Sequence, residues 1–353
     1  MDYKLEINRL LEIVLREGAS DLHLTANRVP AIRVSGALTP LVSEKVLTSE
    51  DTKALVLALL GPESSRIFLE QKELDFGFDG PNASRFRGNV FFQKGKIGAA
   101  LRAVPSSIKT FEDLFLPPIL KDFCFKEQGF FLVVGPVGVG KSTTLASMIE
   151  VVNHERAEHI ITIEDPIEYV FTSDKSIIDQ REVRFDTNDF HTALRSLLRQ
   201  DVNVALVGEM RDPETISTAV TAAETGHLIF STLHTNNASQ TIDRIIDSFP
   251  AGQQKQISIQ LAGSLLGIFS QRLLPRISGG QIPAYELLIN NFAVANLIRE
   301  GRTSEIGVLV ETGSEMGMID LNHSLAELVR RGEIMGDTAY AHSLNPKGLE
   351  RLL

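Results

Sequence analysis

One stretch constrains this chain more than any other: an apolar run that breaks at a glycine-rich turn and restarts as a helix. In FFLVVGPVGVGKSTTLASMI, residues 130–149, positions Gly135 to Ser142 fit G-x-x-x-x-G-K-[ST] between a strand and a helix. Gly138 and Gly140 leave backbone N–H groups able to wrap a phosphate chain, and the helix N-terminus adds partial positive charge. The candidate phosphate loop is Gly135, Pro136, Val137, Gly138, Val139, Gly140, Lys141, Ser142 and Thr143. Lys141 is expected to reach the β and γ phosphates and Ser142 to hold Mg²⁺, so the expected ligands are ATP and Mg²⁺. The alternative is a plain strand-to-helix turn that happens to carry Lys-Ser.

The flanks extend the pattern. Apolar strands at 130–134, 159–164, 203–208 and 227–232 alternate with helices, the rhythm of a parallel, doubly wound sheet. The helix after Asp212 has Asp as N-cap, Pro213 at its first position, Glu214 in its first turn and Gly226 at its close. From about Gly252 the chain is expected to be mostly helical, with one further strand near Ile282 to Leu288.

The first hundred residues read differently. Ile7, Leu10, Leu11, Val14 and Leu15 form one face of a helix ending at Gly18. Short alternating segments follow at Leu22 and Leu24, Ile32 and Val34, Leu74 to Phe78, and Phe86 to Phe92. Between them a helix from Ser49 to Leu60 opens at Thr48, with Asp51 three residues on, and stops at Gly61-Pro62. The expected organisation is an N-terminal α+β domain, 1–104, a proline-broken linker, 105–118, and an α/β domain, 119–353.

Composition narrows the function. A length of 353 residues with 43% apolar and 23% charged content suits two ordinary soluble domains. A formal charge of −10 and no long basic run argue against a nucleic-acid partner. The single cysteine, Cys124, leaves no intrachain disulfide and is expected to be a buried small hydrophobe. Charges throughout MDYKLEINRLLEIVLREG, and the brevity of the uncharged stretch from Gln256 to Gln271, predict no direct membrane insertion and a cytoplasmic location.

Phosphoryl transfer to water also needs carboxylates near the phosphates. ITIEDPIEYVF, 161–171, ends an apolar strand in Glu164-Asp165, and Glu164 is the expected water-positioning base. Asp165 reads equally well as a turn cap. VALVGEMRD, 204–212, delivers Glu209 in the same way, to bind Mg²⁺ or polarise the nucleophile, with Asp212 better explained as a helix cap. His227 and His234 flank a third strand, where they either sense the γ-phosphate or serve as structural hydrogen-bonding groups. In SRFRGNVFF, period two places Arg85 and Arg87 on one face, and Arg102 opposes Leu101. Such arginines are either a solvated basic face or arginine fingers reaching a neighbouring subunit's ATP.

Together these segments resemble the secretion and type IV pilus ATPase superfamily, and most of all its PilT-type retraction motors. The resemblance rests on ASDLHL at 19–24, RFRGNVFFQKG at 85–95, the phosphate loop, TIEDPIE at 162–168, QRE at 180–182, LVGEMRD at 206–212 and TAAETGHLIFSTLHT at 221–235. It implies a PAS-like N-terminal domain and a RecA-like ATPase domain with a mainly parallel sheet and a helical C-terminal part. It further implies a homohexamer, peripheral to the inner membrane, that hydrolyses ATP to disassemble the pilus. Its partners would be a platform protein of that membrane and other pilus ATPases. By the same resemblance Glu164 is the catalytic glutamate, Glu209 the Walker B acid, His227 part of a histidine box, and Arg87 and Arg102 complete the site.

Three departures stand out. Val137 and Val139 replace the Thr and Ser usual in relatives, Gln200, Val202 and Asn203 interrupt an Arg-Glu-Asp-Pro-Asp run, and AVANLIRE at 293–300 places Val294 and Ala295 where retraction motors carry Ile and Arg. Assembly and secretion ATPases usually have a longer N-terminal region and a four-cysteine motif, neither of which occurs here. A slow nucleotide-binding regulator of another pilus motor is the further alternative.

Overall fold

Asp2 accepts hydrogen bonds from the Lys4 and Leu5 amides and so starts helix α1 (Tyr3–Arg16), whose stripe of Ile7, Leu10, Leu11 and Val14 is buried. The structure, a computed structural model, describes residues 2–34, 36–105, 107–210 and 212–353; Ser106, in the expected linker, lies outside the described residues. The chain divides into two units, one of Met1–Ser107 with Pro166–Val170 and one of Ile108–Asp165 with Phe171–Leu353.

In the first unit, α1 is followed by β1 (Asp21–Leu24), β2 (Ala31–Val34), β3 (Ala37–Pro40), α2 (Ser49–Gln71), β4 (Glu73–Asp79), β5 (Arg85–Gln93) and β6 (Lys96–Ala103). The strands pair antiparallel in the order β3-β2-β1-β6-β5-β4. Alternation along β5 buries Phe86, Gly88 and Val90 and turns Arg85, Arg87 and Asn89 to the other face. Thr48 and Asp51 form the expected capping box at the start of α2. Its expected end is corrected: Gly61, at φ 71° and ψ 178°, breaks the helix, but Pro62 suits a new first turn and helical structure resumes to Gln71.

The second unit begins with α3 (Leu120–Cys124), β7 (Gly129–Val134), α4 (Lys141–Glu155), β8 (His159–Glu164), β9 (Ile177–Glu182) and α5 (Phe190–Leu197). It continues with β10 (Val204–Val207), α6 (Pro213–Glu224), β11 (Leu228–Leu233), α7 (Ala238–Asp247), α8 (Ala251–Ser264), β12 (Leu265–Pro275) and β13 (Gln281–Ile289). Helices α9 (Phe292–Glu300), α10 (Ile306–Thr312), α11 (Leu321–Arg330), α12 (Gly336–His342) and α13 (Pro346–Glu350) close the chain. The sheet order is β13-β12-β7-β11-β10-β8-β9, parallel except for the β12–β13 pair.

This is the α/β class expected, with two strands more in the second sheet than the sequence reading contained. Strand β9, IIDQRE, is a polar edge strand with little apolar signal. Strand β12 replaces part of an expected helical stretch; its run LLGIFSQRLLP is interrupted by Ser270, Gln271 and Arg272, which are buried yet hydrogen-bonded. Strands β7, β10 and β11 are buried at every residue. Complete burial of Phe130, Phe131 and Phe230 contributes roughly 2–3 kcal/mol each. Cys124 is buried as expected, its Sγ 3.6 Å from the Leu120 carbonyl, and burial pushes the thiol up to about 12.

Candidate active site

The phosphate loop leaves β7 after Val134, and its first residue tolerates only glycine. Gly135 has φ 146°, and a Cβ there would stand 2.5 Å from the Gln271 carbonyl oxygen. Gly140, at φ 89°, caps α4 in the left-handed region, so the helix starts at Lys141. Pro136, Val137, Gly138 and Val139 form the turn, Val137 exposed and Val139 packed inward, and Ser142 and Thr143 occupy the first turn of α4.

Lys141 is buried. Its Nζ donates to the carbonyls of Gly135 and Pro136, both at 2.9 Å, and lies 3.3 Å from His234 Nδ1. An ammonium has donors only, so Nδ1 accepts and the His234 ring carries its proton on Nε2. His234 follows the C-terminal end of β11, and parallel pairing of Leu233 with Val134 brings it beside the loop.

Glu164 ends β8 and is 7% exposed. Its Oε1 accepts from Thr162 Oγ1 at 2.7 Å and from Gln180 Nε2 at 3.2 Å, while Gln180 Oε1 accepts from the Phe171 amide. Glu209 follows the adjacent strand β10, where Gly208 N donates to Ile163 O at 2.8 Å. Ser231 and Thr232 of β11 brace that end through the Val207 and Gly208 carbonyls. Lys141, Glu164, Glu209 and His234 therefore all lie at the carboxyl rim of neighbouring parallel strands, where ligands bind in open α/β sheets.

His227 sits elsewhere. His227 precedes β11, its carbonyl accepting from Gly129 N at the start of β7, so a strand's length of roughly 20 Å separates it from the phosphate loop. Its Nδ1 meets the Ala222 carbonyl at 3.0 Å, and the structure gathers His234 rather than His227 at the rim. Arg87 and Arg102 belong to the first unit, where Arg87 pairs with Glu168 at 2.9 Å and Arg102 with Asp21 at 2.8 Å. Asp212 caps α6 through the Thr215 amide and hydroxyl, and Asp165 faces Arg184 at 3.8 Å.

The departing residues have local roles. Val202 is in the core, and Asn203 Oδ1 accepts from the His159 amide at the start of β8. Val294 and Ala295 are buried in α9. Thr162, Gln180, Thr144 and Gln271 were given no role from sequence; the last is marked only as one of three successive polar residues inside an apolar strand.

Known proteins resemble this chain over most of its length. Residues 117–314 match the family described as "Type II/IV secretion system protein". The "Type IV pilus retractation ATPase PilT" of Pseudomonas aeruginosa is 43% identical, over 95% of this chain and 97% of that protein. The "Twitching motility protein" of Neisseria gonorrhoeae is also 43% identical, over 91% and 86%. A solved structure of "the Pilus Retraction Motor PilT and Bound ADP" superposes with a TM-score of 0.91 at 46% identity, covering 98% of each chain. Family match, sequence relatives and fold agree with one another, and the chain belongs to the type II/IV secretion system protein family, on its pilus-retraction ATPase branch.

Proposed function

We propose that this chain is an ATP-hydrolysing motor subunit that powers retraction of the type IV pilus. The observation that carries the reading is the buried Lys141 ammonium, held by loop carbonyls and His234 at the rim where Glu164 and Glu209 end neighbouring strands. Phosphate oxygens would replace those carbonyls as acceptors for Lys141, and the amides of residues 136–143 would wrap the phosphate chain. Thr162 and Gln180 fix Glu164 in one orientation, as a group that positions the attacking water must be fixed. His234 Nδ1, released when Lys141 turns to the nucleotide, would report that the site is filled.

The Ser142 hydroxyl and the Glu209 carboxylate are hard oxygen donors suited to Mg²⁺, and they would hold the ion that neutralises charge on the phosphates. Arg87 and Arg102 would serve a neighbouring subunit's site in a homohexamer, exchanging their present carboxylate partners for phosphate. No helix among the described residues is long and apolar enough to cross a membrane. Force would therefore reach the pilus through an inner-membrane platform protein, from the cytoplasmic side where ATP is supplied, with other pilus ATPases as further partners.

The test is ATP hydrolysis with Mg²⁺ by purified protein, paired with pilus dynamics in a strain carrying Lys141→Ala. Lys141→Ala should abolish nucleotide binding and hydrolysis and leave cells piliated but unable to retract. Cells without pili would assign the motor to assembly, and unchanged hydrolysis would remove the site from the reading altogether.

A further inference from the structure

Strand β12 lies beside β7 in the sheet, and their parallel pairing ends at Ser270 opposite Val134. The next residue, Gln271, stands level with the start of the phosphate loop. Its side chain is 3% exposed and makes two buried contacts: Nε2 donates to the Val139 carbonyl at 2.8 Å, and Oε1 accepts from Thr144 Oγ1 at 2.8 Å. One amide thus joins the last turn of the loop to the first turn of α4. Its backbone carbonyl is the atom that a side chain at Gly135 would strike, so the start of the loop is pressed against the same residue.

The contact on Val139 has a directional consequence. The peptide joining Val139 to Gly140 is planar and trans, so its C=O and N–H point opposite ways. Anchoring the carbonyl on Gln271 aims the Gly140 N–H away from β12. A phosphate cradle depends on where such amides point, and an amide misdirected by a rotated peptide is lost to the ligand.

The neighbours of Gln271 act on a second loop. By strand alternation Ser270 and Arg272 face the other way, and both donate to the Asn236 carbonyl, at 2.8 and 3.0 Å, with Arg272 Nη2 also reaching Asn236 Oδ1 at 3.1 Å. Asn236 is two residues beyond His234, the partner of Lys141. Three consecutive β12 residues therefore hold the phosphate loop on one side and the His234 loop on the other.

We infer that Gln271 is a positioning residue for nucleotide binding: it sets the phosphate-loop peptides through Val139 and Thr144, while Ser270 and Arg272 keep the His234 loop in the same register. The inference rests on the nucleotide reading above and adds a residue that touches no phosphate itself.

ADP titration of the full-length protein, at a temperature where circular dichroism shows each variant folded, tests it. Gln271→Leu should bind ADP about tenfold more weakly, and KM for ATP should rise while kcat at saturation stays within about threefold. Thr144→Val removes only one of the two contacts and should weaken ADP about threefold, whereas Thr144→Ser, which keeps the hydroxyl, should bind as the natural protein does. Combining Thr144→Val with Gln271→Leu should add little, because they share one hydrogen bond. Unchanged ADP affinity in folded Gln271→Leu, or a lowered kcat at unchanged KM, would overturn the inference. Should Gln271→Leu fail to fold, equal affinity in the Val and Ser variants of Thr144 would do the same. If the natural protein bound no ADP, the nucleotide reading would fall first and this one with it.

Discussion

The two sheets carry charge in opposite ways. In the first unit, Arg33, Asp21, Arg102 and Arg87 stand in register across β2, β1, β6 and β5, on the polar face of an antiparallel sheet. In the second, β7, β10 and β11 are covered on both faces, and the candidate site's carboxylates appear where strands end. An open face admits a charge at every second residue, where neighbours neutralise it and water screens it. A covered sheet admits polar groups only at its rim or fully hydrogen-bonded inside, so position along the strand already indicates chemistry.

Two carboxylates sharpen the contrast. Burial pushes the Asp21 carboxyl up, but hydrogen bonds from Ser20 and Arg102 outweigh it and hold the group below the usual range. Its partner Arg102 is itself two-thirds exposed. Glu286, on β13, retains some exposed surface yet is densely packed by protein, and burial lifts it to about 7 against the opposing Ala238 amide and Arg272.

The largest effect expected belongs to the rim. Glu164→Gln should lower ATP turnover by about 10²–10⁴ while nucleotide still binds. Turnover that survives in this variant would break the comparison, because the strand-end carboxylate would then do no chemistry.

Glu286→Gln comes next. Between the ordinary value of 4.5 and about 7 the folded chain keeps a proton that the unfolded chain has released, so natural stability falls as pH rises through that window. The loss should reach up to about 3 kcal/mol by neutral pH, and Glu286→Gln, which keeps an acceptor for the Ala238 amide, should flatten it. Urea unfolding at pH 5 and pH 7.5 reads the difference, and parallel pH profiles for the two proteins would contradict it.

Asp21→Asn should have the smallest effect and the opposite pH dependence. The lowered carboxyl stabilises the fold above its unfolded value and loses that contribution as pH falls through the folded one. The cost near neutral pH should be about 1 kcal/mol, given the exposure of Arg102, and should shrink below about pH 4. A larger loss in the urea midpoint would show that the arginine row is less screened than its exposure implies.

What could be read from sequence follows the range of the interactions. The strand-turn-helix around Gly135 to Lys141, the Thr48 capping box, the Asp212 cap and the alternation of β5 are set by residues a few positions apart, so the pattern carries them. Helix α2 beyond Gly61 was missed because a break looks like an end when only the break is local. Strand β12 was missed because its polar centre is satisfied by Val139, Thr144 and Asn236, far away in the chain. His227 and His234 are equivalent as letters flanking a strand, and only the direction of β11 beside β7 separates them. Asp21 and Arg102 are 81 residues apart, and no spacing rule joins them.

Cys124, sealed beneath the second unit's surface and kept protonated, has a practical consequence. Maleimide reagents attack the thiolate, so the natural protein should be silent to them. A cysteine placed at an open position such as Val42 would then be the sole attachment point for a fluorophore. Optical tracking of subunit movement during turnover can begin from the wild-type chain, with no prior substitution to clear the background.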